Sequence, residues 1–97
     1  MRLGKFTKTP VDRKRYSIDY SDWLDDTEVI QSVTFEVTPT TASPLVVDGD
    51  QINPDGKGVT FYVSGGLDGT TYKVLPTMTS AGGQIRKDSI QYTAAAP

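Results

Sequence analysis

Apolar and polar residues alternate with a period of two along most of this chain, the spacing of half-buried β-strands. Tyr16, Ile18 and Tyr20 alternate with Ser17 and Asp19. Val29–Val37 is the clearest strand: Val29, Val33, Phe35 and Val37 share a face with Gln31, while Ile30, Ser32, Thr34 and Glu36 form the other. One side of it is buried and the other wet, as in an antiparallel sheet. Pro39 and Pro44 break the run, and Leu45, Val46 and Val47 follow as a short edge strand. Val59, Phe61 and Val63 point one way, with Thr60, Tyr62 and Ser64 opposite. Tyr72, Val74 and Met78 alternate with Lys73, Thr77 and Thr79, and Pro76 within that run predicts a bulge or an unpaired edge position. Gln84–Thr93 returns as the last strand. Ile85 and Ile90 stand an odd number apart, so they share a face only across a bulge.

The connections read from turn chemistry. Ser21-Asp22-Trp23-Leu24-Asp25-Asp26 suits one helical turn, with Trp23 and Leu24 folding back to close one end of the core. Asp48–Gly58 reads as a long polar turn. Gly65, Gly66 and Gly69 bracket a tight connection, and Ala81-Gly82-Gly83 makes a hairpin. Six or seven short strands with almost no helix predict an all-β antiparallel sandwich over residues 13–93. Residues 94–97 read as a tail. Residues 1–12 lack periodicity and read as an extended arm, one that orders on assembly and that the fold would not need. Tyr72, in Gly69-Thr-Thr-Tyr72, fits the tyrosine corner of immunoglobulin-like sandwiches, whose hydroxyl bonds back to nearby backbone.

Composition narrows the chemistry. Ninety-seven residues make one domain with one modest core. The chain has no cysteine and no histidine. Disulfides, thiolates, the commonest general base and the commonest zinc ligand are thus absent, and synthesis in a reducing compartment fits. No apolar run is long enough to span a membrane, and no apolar segment follows the basic N-terminus to make a secretory signal. The net charge of −2 conceals an asymmetry. Residues 1–15 carry six cations against one carboxylate, a net +5; the rest carry four against eleven, a net −7. Arg2, Lys5, Lys8, Arg13, Lys14 and Arg15, with Phe6 among them, are expected to dock on an acidic partner. Protein fits better than nucleic acid, because the acidic body repels phosphate.

Candidate constellations mostly fail. Asp48-Gly-Asp-Gln-Ile-Asn-Pro-Asp55 has Ile52 at the fifth position of a calcium loop and Val59 in place of the twelfth-position glutamate. At most a weak cation site at Asp48, Asp50 and Asp55 remains. Asp22, Asp25, Asp26 and Glu28 read as a solvated turn rather than a glycosidase pair, which needs a cleft. Ser64 precedes glycines but has neither the nucleophile-elbow order nor a histidine base. Gly65–Gly69 lacks the lysine of a phosphate loop. The chain reads as a non-enzyme without cofactor or metal. Tyr62, opposite Phe61, is the candidate exposed contact; Leu67 and Asp68 in the 64–70 turn, and the 80–84 turn, are further ones.

Taken in order, several pieces resemble one family. They are Tyr16-Ser-Ile-Asp-Tyr-Ser-Asp-Trp-Leu24, Ile30–Val37, Tyr62-Val-Ser-Gly-Gly66, Gly69-Thr-Thr-Tyr-Lys-Val74 and Thr79-Ser-Ala-Gly-Gly83 with Arg86. Over residues 10–93 the chain is similar to the small fiber–tail adaptor or capsid-fiber proteins of tailed bacteriophages. Tyr20 stands where that family often has tryptophan, Gln84 separates Gly83 from the region of Arg86, and the basic arm lies outside the pattern. The resemblance implies an immunoglobulin-like virion protein, made in the host bacterial cytoplasm and present in several copies. It would join a fiber or spike on one side to a tail or capsid subunit on the other, with no catalytic residues. A carbohydrate- or receptor-binding module on the virion surface is the alternative, and would need exposed aromatics beside Asp48–Asp55.

Overall fold

The computed structural model describes residues 2–95, and of Arg2 and Leu3 the backbone alone. Eight strands follow in order: β1 (Arg2–Lys8), β2 (Lys14–Asp19), β3 (Ile30–Thr38), β4 (Leu45–Ile52), β5 (Gly58–Gly65), β6 (Thr71–Ser80), β7 (Ile85–Lys87) and β8 (Ser89–Ala94). They form two sheets. One runs β1-β8-β6-β3, with β7 also on β6; the other runs β2-β5-β4. The two sheets face one another as a β-sandwich, the all-β fold the alternation predicts. β1 lies beside the last strand and pairs with it in parallel.

The inward faces meet as the alternation predicts. Val59, Phe61 and Val63 of β5 and Tyr72, Val74, Pro76 and Met78 of β6 are fully buried. The Phe35 and Phe61 rings lie 4.8 Å apart across the sandwich, and Tyr16 meets Tyr92 edge-on at 5.0 Å. Phe61, fully buried, contributes about 1.5–3 kcal/mol by its burial. Residues 20–24 make the expected turn, with the Leu24 N–H donating to the Tyr20 carbonyl at 2.9 Å, and Leu24 closes that end of the core.

Several stretches depart from the sequence expectation. Arg2–Lys8, read as an irregular arm, is a strand in the sheet. Its inward positions are Gly4, Phe6 and Lys8, so no apolar alternation announces it. The face of β3 switches at a register shift between Ile30 and Ser32. Ile30 is thereby buried and Val29 exposed, the reverse of the expected pairing. Asp48, Gly49 and Asp50, read as loop, belong to β4, which bulges between Asp48 and Gln51; the turn itself is shorter, over residues 53–57.

Pro76 sits in a central strand. Its carbonyl accepts from the Asp88 N–H at 3.1 Å, but proline returns no N–H, so the strand opposite is interrupted at Asp88 into β7 and β8. The register on β6 is the same on both sides of the break. Without a bulge, Ile85 faces outward, 66% exposed, and Ile90 inward.

Candidate interaction surfaces

The two turns singled out from sequence lie at opposite ends of β6. That strand has ten residues, which at about 3.3 Å each separates the turns by about 30 Å. The longest dimension of the molecule is 44 Å.

At the first end the Tyr72 hydroxyl accepts from the Leu67 N–H at 2.8 Å, five residues upstream, and lies 2.7 Å from Thr41 Oγ1 and 3.2 Å from the Ser43 carbonyl. It ties the 64–70 turn to the 41–44 connection. Gly65 takes φ 73°, and a Cβ there would stand 2.5 Å from the Pro44 carbonyl oxygen, so this position requires glycine. Gly66 and Gly69 follow, also with positive φ. Leu67, 43% exposed, and Asp68 project from this turn, and Val11, 91% exposed, projects from the neighbouring turn between β1 and β2.

At the other end Glu28 holds the hairpin. Its carboxylate accepts from the Ser80 hydroxyl and from the Gly82 N–H at 3.1 Å. A Cβ on Gly82 would lie 2.5 Å from that carboxylate oxygen, and Gly83 completes the turn with φ 91°. The Lys57 ammonium donates to the carbonyls of Asp25, Asp26 and Glu28, which fixes the 25–28 loop beside the hairpin. Val29 and Ile85 are the exposed apolar residues here.

The basic residues divide. Lys8 is buried: its ammonium donates to the Gly65 carbonyl at 2.7 Å and to the Thr9 carbonyl, and burial lowers its pKa despite nearby Asp12. It holds β1 down and is not available to a partner. Phe6 is half-exposed but stacks on Tyr92 at 5.5 Å and leans on Tyr16 at 4.9 Å. Lys5, Arg13, Lys14 and Arg15 are exposed, while the Arg2 side chain lies outside the described residues. The Arg13 guanidinium lies 4.1 Å over the Tyr62 ring and 3.1 Å from the Asp48 carboxylate. Arg13 therefore covers one face of Tyr62, while the ring also lines a cleft with Arg15, Gln51, Ile52 and Asn53. The Arg13–Asp48 pair is exposed and contributes at most about 1 kcal/mol.

One cluster was not legible in sequence. Trp23, partly buried, comes within 5.5 Å of the Arg86 guanidinium, whose Nε bonds the buried Asp88 carboxylate at 2.9 Å. Tyr20 packs beside them, and burial, with Asp88 adding to it, pushes its hydroxyl up to about 12. The pieces carrying the resemblance, Tyr20-Ser-Asp-Trp23-Leu24 and Arg86, thus meet in space. Arg86 and Asp88 share a face two residues apart, the one local signal that could have found the cluster. Asp48 is paired with Arg13, and among the described residues no group of three or more acidic residues is placed to hold a metal ion. Nor is any helix among them long and apolar enough to cross a membrane.

A family model described as podophage GP4 fiber-tail adaptor protein gp77 matches residues 8–93. The match spans β2 to β8 and leaves most of β1 outside it. No curated protein matches the chain.

Proposed function

The chain belongs to the podophage fiber-tail adaptor family, a family of virion structural proteins, and from that premise we propose that it works as a rigid spacer with two ends. One virion neighbour docks at the end formed by Val11, Leu67 and Asp68, beside the basic start of β2 at Arg13, Lys14 and Arg15. The other docks at the end formed by Val29, Ile85 and the 80–84 hairpin. The fiber is held at one of these and the tail at the other, in several copies per particle, by protein–protein contact and without catalysis.

The observation that carries this reading is the placement of exposed apolar residues at both ends of one continuous strand. Leu67 stands before β6 and Ile85 after it, 43% and 66% exposed. Each turn is pinned by partly buried hydrogen bonds, Tyr72 at one and Glu28 with Ser80 at the other, so a load at one end passes to the other through β6. Exposed apolar anchors on rigid turns are what a docking surface needs.

Particles assembled with Leu67→Asp or Ile85→Asp test it. Each variant should fold, keep one neighbour and lose the other. Loss of both neighbours from either substitution, or of neither from both, would overturn the two-ended arrangement.

A further inference from the structure

The β2-β5-β4 sheet carries on its outer face a cleft of about 460 Å³, within the range of small-molecule sites. Register builds it. Arg15 of β2 and Asp48 of β4 both pair with Tyr62 of β5, and Gln51 pairs with Thr60 on the next outward rung. Tyr62 and Thr60 alternate with the buried Val59, Phe61 and Val63, which turns them away from the core. The β4 bulge between Asp48 and Gln51 brings Gly49 against the Tyr62 ring. A Cβ there would lie 3.0 Å from the ring Cδ1, so glycine keeps this side of the cleft open.

Several donors in the cleft have no partner in the fold. Asn53 Oδ1 accepts from the Thr60 hydroxyl at 2.8 Å, which orients the amide. Gly58 makes room for it, since a Cβ there would lie 2.7 Å from Asn53 Nδ2. Among the described residues that Nδ2, the Gln51 side-chain amide and the Arg15 guanidinium make no hydrogen bond or ion pair. Arg13 differs. It is engaged with Asp48 and braces the Tyr62 ring. Arg15 is thus the uncommitted cation lining the cleft.

These groups select a ligand chemistry. An aromatic ring beside amides suits a pyranose, whose C–H face packs on the ring while its hydroxyls bond the amides. The planar fork of an unpaired guanidinium adds recognition of a carboxylate. Nucleic acid fits less well. Residues 16–97 carry a net −7, which repels a chain charged at every nucleotide more than a glycan charged on alternate rings.

We infer that this cleft binds an acidic saccharide, a sugar chain with a carboxylate on a pyranose ring. Tyr62 takes the C–H face of that ring, Gln51 and Asn53 take its hydroxyls, and Arg15 takes its carboxylate. The site goes beyond the adaptor reading, and the two-ended arrangement does not depend on it.

The test uses the full chain with a tetrasaccharide of alternating glucuronic acid and N-acetylglucosamine, its carboxyl-reduced twin and a short blocked glutamate peptide. Binding is read by calorimetry and by backbone amide shifts. The acidic tetrasaccharide should shift residues 49–53 and 60–62 and bind roughly tenfold tighter than its reduced twin. Arg15→Gln should erase that difference. Tyr62→Ala should weaken both sugars roughly tenfold. Lys73→Gln, the same charge change on the exposed face of the other sheet, should alter neither. Equal binding of the two sugars, no binding, shifts on the other sheet instead, indifference to Arg15→Gln, or glutamate peptide binding as tightly as the acidic sugar would each overturn the inference.

Discussion

The ammonium of Lys8 bonds the carbonyl of Gly65 at 2.7 Å, joining the end of the first strand to the turn before β6. A segment that looks like a solvated basic arm is thereby part of the fold. Lys8→Ala removes a buried stem and leaves the Gly65 carbonyl without its donor, a loss of about 1–3 kcal/mol. Deleting residues 1–8 also exposes Tyr92 and Tyr16 and should cost more. Urea unfolding measures both; an unchanged midpoint for the deletion would mean that β1 does not contribute to stability.

Three buried tyrosines should respond differently to loss of their hydroxyls. Tyr72→Phe orphans the Leu67 N–H and should destabilise by about 1–3 kcal/mol. The hydroxyls of Tyr20 and Tyr92 have no partner, so Tyr20→Phe and Tyr92→Phe should be neutral or stabilising at pH 7. Thermal melts of the three variants rank them, and a Tyr20→Phe loss as large as that of Tyr72→Phe would contradict the assignment.

The same burial sets an alkaline limit. It pushes the Tyr20 hydroxyl from 10.0 up to about 12, and that of Tyr92 up as well. The folded chain keeps these protons where the unfolded chain has lost them, so their contribution is full below about pH 10 and falls as pH rises toward 12. Lys8, with its pKa lowered by burial, acts in the opposite sense in the alkaline range below 10.5. Comparing wild type with Tyr20→Phe isolates the tyrosine effect: stability against pH should fall less steeply above pH 10 in the variant. Parallel curves would exclude Tyr20 as a source.

Gly65→Ala should be among the most damaging single substitutions. The methyl would meet a backbone oxygen at 2.5 Å, and φ 73° is strained for alanine. Gly69 has φ 82° but nothing within 4 Å, so Gly69→Ala carries the strain alone, about 1–2 kcal/mol. Equilibrium unfolding of the pair separates clash from strain; equal losses would contradict the Pro44 contact.

The strands with two-fold alternation and the turns with glycine were legible because local chemistry dictates them. Phe61, Tyr72 and Met78 could be placed inward from their spacing alone. β1 was not legible. Its inward face reads Gly4, Phe6, Lys8, and its stability comes from parallel pairing with the last strand, which no local pattern encodes. The faces of β3 were misread at Ile30 because a bulge shifts the parity there, and β4 was cut short because Asp48 and Asp50 lie on a wet edge. Leu67 and Asp68 were found as turn-tip residues. The pairing of Trp23 with Arg86 has no local signal, since sixty-odd residues separate them and only the closure of the sandwich brings them together.

The two-ended arrangement is tested most directly by a reconstruction of the intact particle in which this chain is traced. The account predicts the 64–70 turn against one virion protein and the 80–84 hairpin, with Ile85, against another. Both turns on the same neighbour, or either one facing solvent, would contradict it.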